Sequence, residues 1–458
     1  MEELLRQAEA WNDTLHRIVW GPWTLVLILA VGLLYSIKGK FFQVRGFRRW
    51  WGATAGACLK DEGVRKSTDH KSISQFQSLC TSLAATVGTG NIAGVATALV
   101  AGGPGALFWM WVSSLIGMMT IYAENVLGIR YRYRGKDGRW MGGPMIYLER
   151  GVGSRLLACL FAGFCVLSSF GMGNMAQANS IAVTLEYTWN VPALATGIVV
   201  AVLTGVVILG GIRRIARVAE RVIPAAAGLY VLFCLVMVVM NIKQVPGVFA
   251  WIFKDAFRPA GAVGGAMGFG VSRAVRFGVA RGVFSNEAGL GSTVMIHSAA
   301  DVKEPETQGM WGMLEVFIDT IVMCTLTGVV ILCSGVYGNG NGAVGALDGA
   351  ALTAEAFASS LGGLGSGFVS VSMLVFAFAT LIGWSYLGSQ AVEYLLGAEA
   401  VRGYRLLFLL FIVIGCVTNL TLVWELSDIF NGLMAVPNLI ALVVLEREVT
   451  YPGGKAKT

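Results

Sequence analysis

The residues best placed to do chemistry are polar groups set inside apolar runs. The clearest case is 85–103, ATVGTGNIAGVATALVAGG, which carries no charge and is apolar enough for a membrane. Gly88, Gly90 and Gly94 surround Thr89 and Asn91 in it. A run with only lipid to touch would be rich in Leu and Ile. This composition predicts a helix broken partway across, and unpaired backbone inside a bilayer is tolerated only where protein encloses it or a cavity adjoins it. The half-helix starting near Asn91 presents free N–H groups and a positive dipole end, which suit a carboxylate. Carbonyls of the preceding half suit a small cation or an amino group. Thr89 and Asn91 add hard oxygen donors.

Other spans carry further candidates. In FGMGNMAQANS (170–180), Asn174, Gln177 and Ser180 recur at i, i+3 and i+6, a polar stripe on one helical face. In FAFATLIGWSYLG (376–388), Thr380 and Ser385 offer hydroxyls, and Trp384 is a large ring among small residues that can wall a pocket. Ionisable residues inside spans are functional candidates. They are Asp319 with Glu315 one turn before it, and Arg273 with Arg276. Asp319 is expected to pair with an arginine as a structural or gating bridge, with cation coupling as the alternative. His297 has no partner His at ligand spacing, so no transition-metal site is expected. No P-loop and no GxSxG elbow occurs, which argues against ATP-driven transport and against an enzyme.

The elements that must position these groups follow from composition. The 458 residues are 55% hydrophobic and 13% charged, far below the charge of a soluble domain. Hydropathy places about eleven spans at 19–37, 79–101, 104–124, 156–181, 191–211, 222–241, 261–281, 310–334, 366–392, 405–422 and 426–445. Residues 1–18 read as an amphipathic surface segment, 19–448 as one transport domain and 449–458 as a cytoplasmic tail. With 38–72 cytoplasmic, 27 of the 34 Lys and Arg fall on that side and 5 on the other. That bias predicts an outside N-terminus and accounts for the net charge of +7 without nucleic acid. The 212–221 segment is expected as an inside loop, GFRRWWG (46–52) as an interfacial helix, and 351–361 as a short helix lidding an outer vestibule. The eight cysteines form no regular pattern and read as small buried residues.

Setting aside the helix at 19–37 leaves ten spans. The second and seventh are both interrupted by glycine, at GTGNIAG and at AGAVGGAMGFG (260–270). Matching breaks point to a site between two five-helix inverted repeats, about 79–241 and about 261–445.

Six ordered runs closely resemble the alanine or glycine:cation symporter family. They are 87–111, 141–151 (MGGPMIYLERG), 208–220, 277–292 (FGVARGVFSNEAGLGS), 376–388 and 430–442. The resemblance implies an all-α polytopic membrane protein of the amino-acid:sodium symporter type, with a 5+5 inverted repeat and discontinuous helices. It implies import of small neutral amino acids (alanine, glycine) with Na⁺, or in some members H⁺, across the prokaryotic inner membrane. It places Thr89, Gly90 and Asn91 at the unwound substrate site, with Gln177 and Trp384 completing it. Na⁺ is then expected between Thr86 and Gly88 on one side and Ala377 and Thr380 on the other. An uncoupled channel or a receptor on the same scaffold is the alternative from another class. Broken helices at midplane, without a ring of like charges around a symmetric pore, argue against the channel.

Overall fold

A computed structural model describes residues 18–135, 137–257, 273–337, 347, 349–418 and 421–453. Among the described residues the chain is helical apart from one short hairpin. Helix α1 (Pro22–Lys38) opens on Pro22, whose missing N–H costs nothing in a first turn. Helix α2 (Gln75–Thr86) starts from a capping box in which Ser74 and Gln77 satisfy each other's backbone N–H. Val87 then leaves the helical region (ψ 94°), a wide π turn runs Gly90–Gly94, and α3 (Val95–Gly102) resumes at 58° to α2. The expected break is therefore present.

Helix α4 (Gly105–Tyr131) returns to a hairpin, β1 (Tyr133–Arg134) and β2 (Trp140–Met141), antiparallel with Tyr133 opposite Met141. Helix α5 (Arg155–Phe170) passes through a π turn at Gly171–Met175 into α6 (Ala176–Trp189). Then come α7 (Ala193–Ile208), α8 (Gly211–Met240), α9 (Val245–Ala256) and α10 (Arg273–Asn286). Helix α11 (Pro305–Val316) continues by a longer π segment, Phe317–Cys324, into α12 (Thr325–Cys333). The last four are α13 (Gly349–Leu361), α14 (Gly363–Leu396), α15 (Ala400–Val417) and α16 (Thr421–Val444).

Among the described residues seven helices are long and apolar enough to cross a membrane, and the bent pair α2–α3 makes an eighth. Two shorter apolar helices, α1 and α7, also fall on expected spans. The second glycine break, 260–270, lies outside the described residues, as does most of 1–18. The outer helix expected at 351–361 is α13. One boundary is corrected: 212–221 is no loop but the first turns of α8. Ile212, Ile215, Ala216, Ala219 and Ile223 are buried at helical spacing while Arg213, Arg214, Arg217 and Arg221 stay exposed. Charge marked the end of the apolar window, and the helix continues past it as an amphipathic turn.

Lipid-facing positions are apolar and exposed, as with Leu194, Ile198, Val202 and Val206 on α7. Inside, glycine allows backbone contact. A Cβ added at Gly383 on α14 would lie 2.9 Å from the Ala85 backbone of α2. GFRRWWG is helical as expected, but its two tryptophans divide. Trp50 is buried against Phe317 (ring centroids 5.7 Å), while Trp51 remains exposed. All eight cysteines are free.

Outside the spans, a polar knot joins the segment before α2, the hairpin and the 298–302 loop. Asp301 accepts from Thr68 N–H (2.9 Å) and Ser67 Oγ (3.0 Å), and Arg134 pairs with Asp69 at 2.5 Å. Arg132 donates to the Ser298 and Ala300 carbonyls, and its guanidinium and that of Arg134 lie 4.0 and 4.1 Å from the Trp140 ring. Hydrogen bonding, from the Ser72 hydroxyl foremost, holds the Asp69 carboxyl down at about 2.

Candidate functional site

The break places three predicted residues together. A Cβ at Gly88 would sit 2.7 Å from Thr380 Oγ1 and 3.7 Å from Gln177 Oε1. Only glycine lets α14 and α6 approach the α2–α3 break this closely. Gln177 is 3% exposed, and its Nε2 donates to the Met172 carbonyl at 3.2 Å. Its Oε1 has no hydrogen-bond partner. A buried amide oxygen left without a donor is costly, so its presence calls for explanation by a ligand or water.

Thr86 and Thr380 are buried, and each hydroxyl donates to its own helix, to the Ser82 carbonyl (3.2 Å) and the Phe376 carbonyl (3.1 Å). Both oxygens therefore keep lone pairs for a cation. Val87 N–H still closes on the Leu83 carbonyl (2.7 Å), but Gly88 N–H turns to Asn91, so the Ala84 carbonyl loses its helical donor. Ala377 is buried one turn before Thr380 on the same helix.

Asn91 faces elsewhere. Its Oδ1 accepts the Gly88 N–H (3.1 Å). Its Nδ2 donates to Asp319 Oδ1 (2.7 Å) and reaches the Asp319 carbonyl and Ser285 Oγ at 3.1 and 3.2 Å. Asp319 also accepts from Ser285 Oγ (2.8 Å) and Thr320 Oγ1 (2.7 Å). The expectation of an arginine partner for Asp319 is thus corrected. Its partners are an amide and two hydroxyls, a set that solvates a carboxylate without a second charge.

Trp384 is fully buried. A Cβ at Gly173, in the π turn before α6, would fall 2.5 Å from its Cβ and Cγ, so the indole packs directly on that turn. Its Nε1 is buried without a hydrogen-bond partner among the described residues. Gly90 lies against Phe284 and Ser285, with 3.8 Å from an added Cβ to each. Phe284 is a wall that sequence reasoning missed. Its only signal was a ring beside the small residues of FSNEAGLGS. Thr89 is buried at 5% exposure. Thr353 of α13 donates to the Ile92 carbonyl (3.0 Å), so the short helix covers the π turn of the break.

The polar stripe on the fourth span divides. Asn174 donates to the Phe408 carbonyl of α15 (2.7 Å), and Ser180 donates to Ala176 of its own helix (2.9 Å). The π turn inserts an extra residue and rotates Asn174 away from the face of Gln177. His297 is not alone. Its Nε2 meets Glu315 Oε2 at 2.8 Å, both fully buried, and Gln308 meets its other nitrogen. Arg276 lines a small cleft with Trp20, Phe284 and Asp428, and Arg273 opens α10.

Comparison with known proteins agrees with this architecture. The model of the sodium:alanine symporter family matches residues 5–451. The chain is 42% identical over 439 residues to the sodium/alanine symporter AgcS of Methanococcus maripaludis, covering 94% of each. It is 37% identical over 433 residues to the probable sodium/glutamine symporter GlnT of Bacillus subtilis, covering 94% of this chain and 87% of that one. The crystal structure of MhsT in complex with L-phenylalanine shares the fold at a TM-score of 0.57 and 14% identity, over 83% of this chain and 90% of that one.

Proposed function

From its membership in the sodium:alanine symporter family, which makes the chain a multi-pass, cation-coupled amino-acid symporter and no enzyme, we propose that it imports alanine and glycine with Na⁺. The observation that carries this is the unpartnered Gln177 Oε1 beside Gly88. A substrate ammonium donates to that oxygen. The carboxylate rests on the N–H groups of Thr89 and Gly90 at the start of the second half-helix. Trp384 and Phe284 close the side-chain end and leave room for hydrogen or methyl. Na⁺ sits between the α2 carbonyls near Thr86 and Gly88 and the Ala377 carbonyl and Thr380 hydroxyl. The substrate carboxylate helps to neutralise it, since these groups carry no charge.

The excess of Lys and Arg on the face bearing the hairpin and residues 38–72 supports a cytoplasmic position for that face in a prokaryotic cell. Helix α13 lids the opposite entrance. Access alternates as one helix group rocks against the other. The test is labelled alanine uptake into proteoliposomes under separate inward Na⁺ and H⁺ gradients. Accumulation driven by Na⁺ alone is expected. Accumulation driven by H⁺ alone transfers the coupling role to protons, and gradient-independent equilibration removes it.

A further inference from the structure

Two adjoining cavities, of about 530 and 390 Å³, open on the hairpin face and share Arg139, Leu209 and Arg405. Six basic side chains line them: His70 and Lys71 before α2, Arg139 on the hairpin, Arg213 in the first turn of α8, and Arg402 and Arg405 on α15. Glu393 is the one carboxylate among the lining residues. Positive charge on this side of a membrane protein is ordinary. Its convergence from four separate segments on one recess is not. Arg139 has Asp137 as a partner, whereas Arg213, Arg402 and Arg405 have no carboxylate within 4.0 Å among the described residues. Glu393 and Asp137 offset only part of this charge, the remaining guanidinium groups repel one another, and an anion between them removes that cost. The planar fork of arginine matches phosphate oxygens. The recess lies where α7, α8 and α15 begin or end, beside the exposed Leu209 and Leu406 of the lipid-facing surface.

We propose that this recess binds a phosphate-bearing anion, with the phosphodiester of an acidic lipid headgroup as its source. Basic pockets between helices on the cytoplasmic side hold such headgroups. The bound phosphate ties the hairpin to the starts of α8 and α15. The leaflet assigned to it rests on the orientation proposed above. Binding in micelles, where both faces are open, tests the recess alone, and a failed uptake assay leaves that result untouched.

The experiment is native mass spectrometry of the purified full chain, titrated separately with phosphatidylglycerol, phosphatidylcholine and inorganic phosphate. The variants are R402Q/R405Q, R213Q, and K60Q/K303Q, which removes two exposed charges elsewhere. Phosphatidylglycerol is expected to outlast phosphatidylcholine on the unmodified chain. Its affinity should fall about fivefold with each arginine removed and change by less than about twofold in K60Q/K303Q. Arginine-dependent binding of inorganic phosphate without a lipid preference keeps the site and assigns it a soluble source. Equal loss in K60Q/K303Q, or binding indifferent to the arginines in both arms, overturns the proposal.

Discussion

Two buried amides flank the break, and they differ in what they leave unsatisfied. Asn91 spends every polar atom on protein: its oxygen caps Gly88 and its nitrogen holds Asp319 and Ser285. Gln177 spends its nitrogen on Met172 and leaves its oxygen bare. A satisfied buried network fixes structure, and a bare buried acceptor calls for a ligand, a water or an ion. On the proposed reading, the comparison divides the break into a scaffold side and a substrate side. Sequence types alone made the two amides look equivalent.

Asp319→Asn should have the largest effect. It sets amide donors against the donors of Asn91, Ser285 and Thr320, and should cost about 3 kcal/mol, seen as a lowered thermal midpoint in detergent and lost alanine binding. An unchanged midpoint would remove Asp319 from the scaffold. Gly88→Ala should come next, because the new methyl meets Thr380 Oγ1 at 2.7 Å. The double variant with Thr380→Ala should recover about 1 kcal/mol of that loss in a double-mutant cycle. Additive effects would mean that the two residues do not touch. Trp384→Leu should leave alanine uptake measurable while admitting larger amino acids in a competition assay. Unchanged selectivity would take the indole out of the pocket wall.

The smallest effect lies outside the spans. Asp69 has its carboxyl held near 2, below the ordinary value, so its contribution is complete above about pH 4 and is lost as pH falls toward 2. Asp69→Asn should thus lower the thermal midpoint slightly at neutral pH. The gap from the unmodified chain should close in acid.

How much was legible follows from distance along the chain. The break, the short helix α13 and the spans were readable because glycine content, helical periodicity and hydropathy are local signals. The neighbours of Gly88 were reached through family motifs, since Gln177 and Thr380 are far away in sequence. The Asn91–Asp319 bond spans 228 positions, and no local pattern announces it. Likewise His297 found Glu315 across a loop, and the π turn before α6 turned Asn174 from its predicted face. A π turn has no composition of its own, because it is set by how neighbouring helices pack. The early turns of α8 were misjudged for a simpler reason. Arginine ends an apolar window without ending a helix.

The division of the break is tested most directly by the alanine-induced shift in thermal midpoint for Gln177→Leu beside the unmodified chain. The midpoint without alanine should fall by no more than the lost Nε2–Met172 hydrogen bond accounts for, about 1 kcal/mol, and the shift on adding alanine should disappear. A lowered midpoint with the alanine shift intact would place Gln177 in the scaffold and contradict the account.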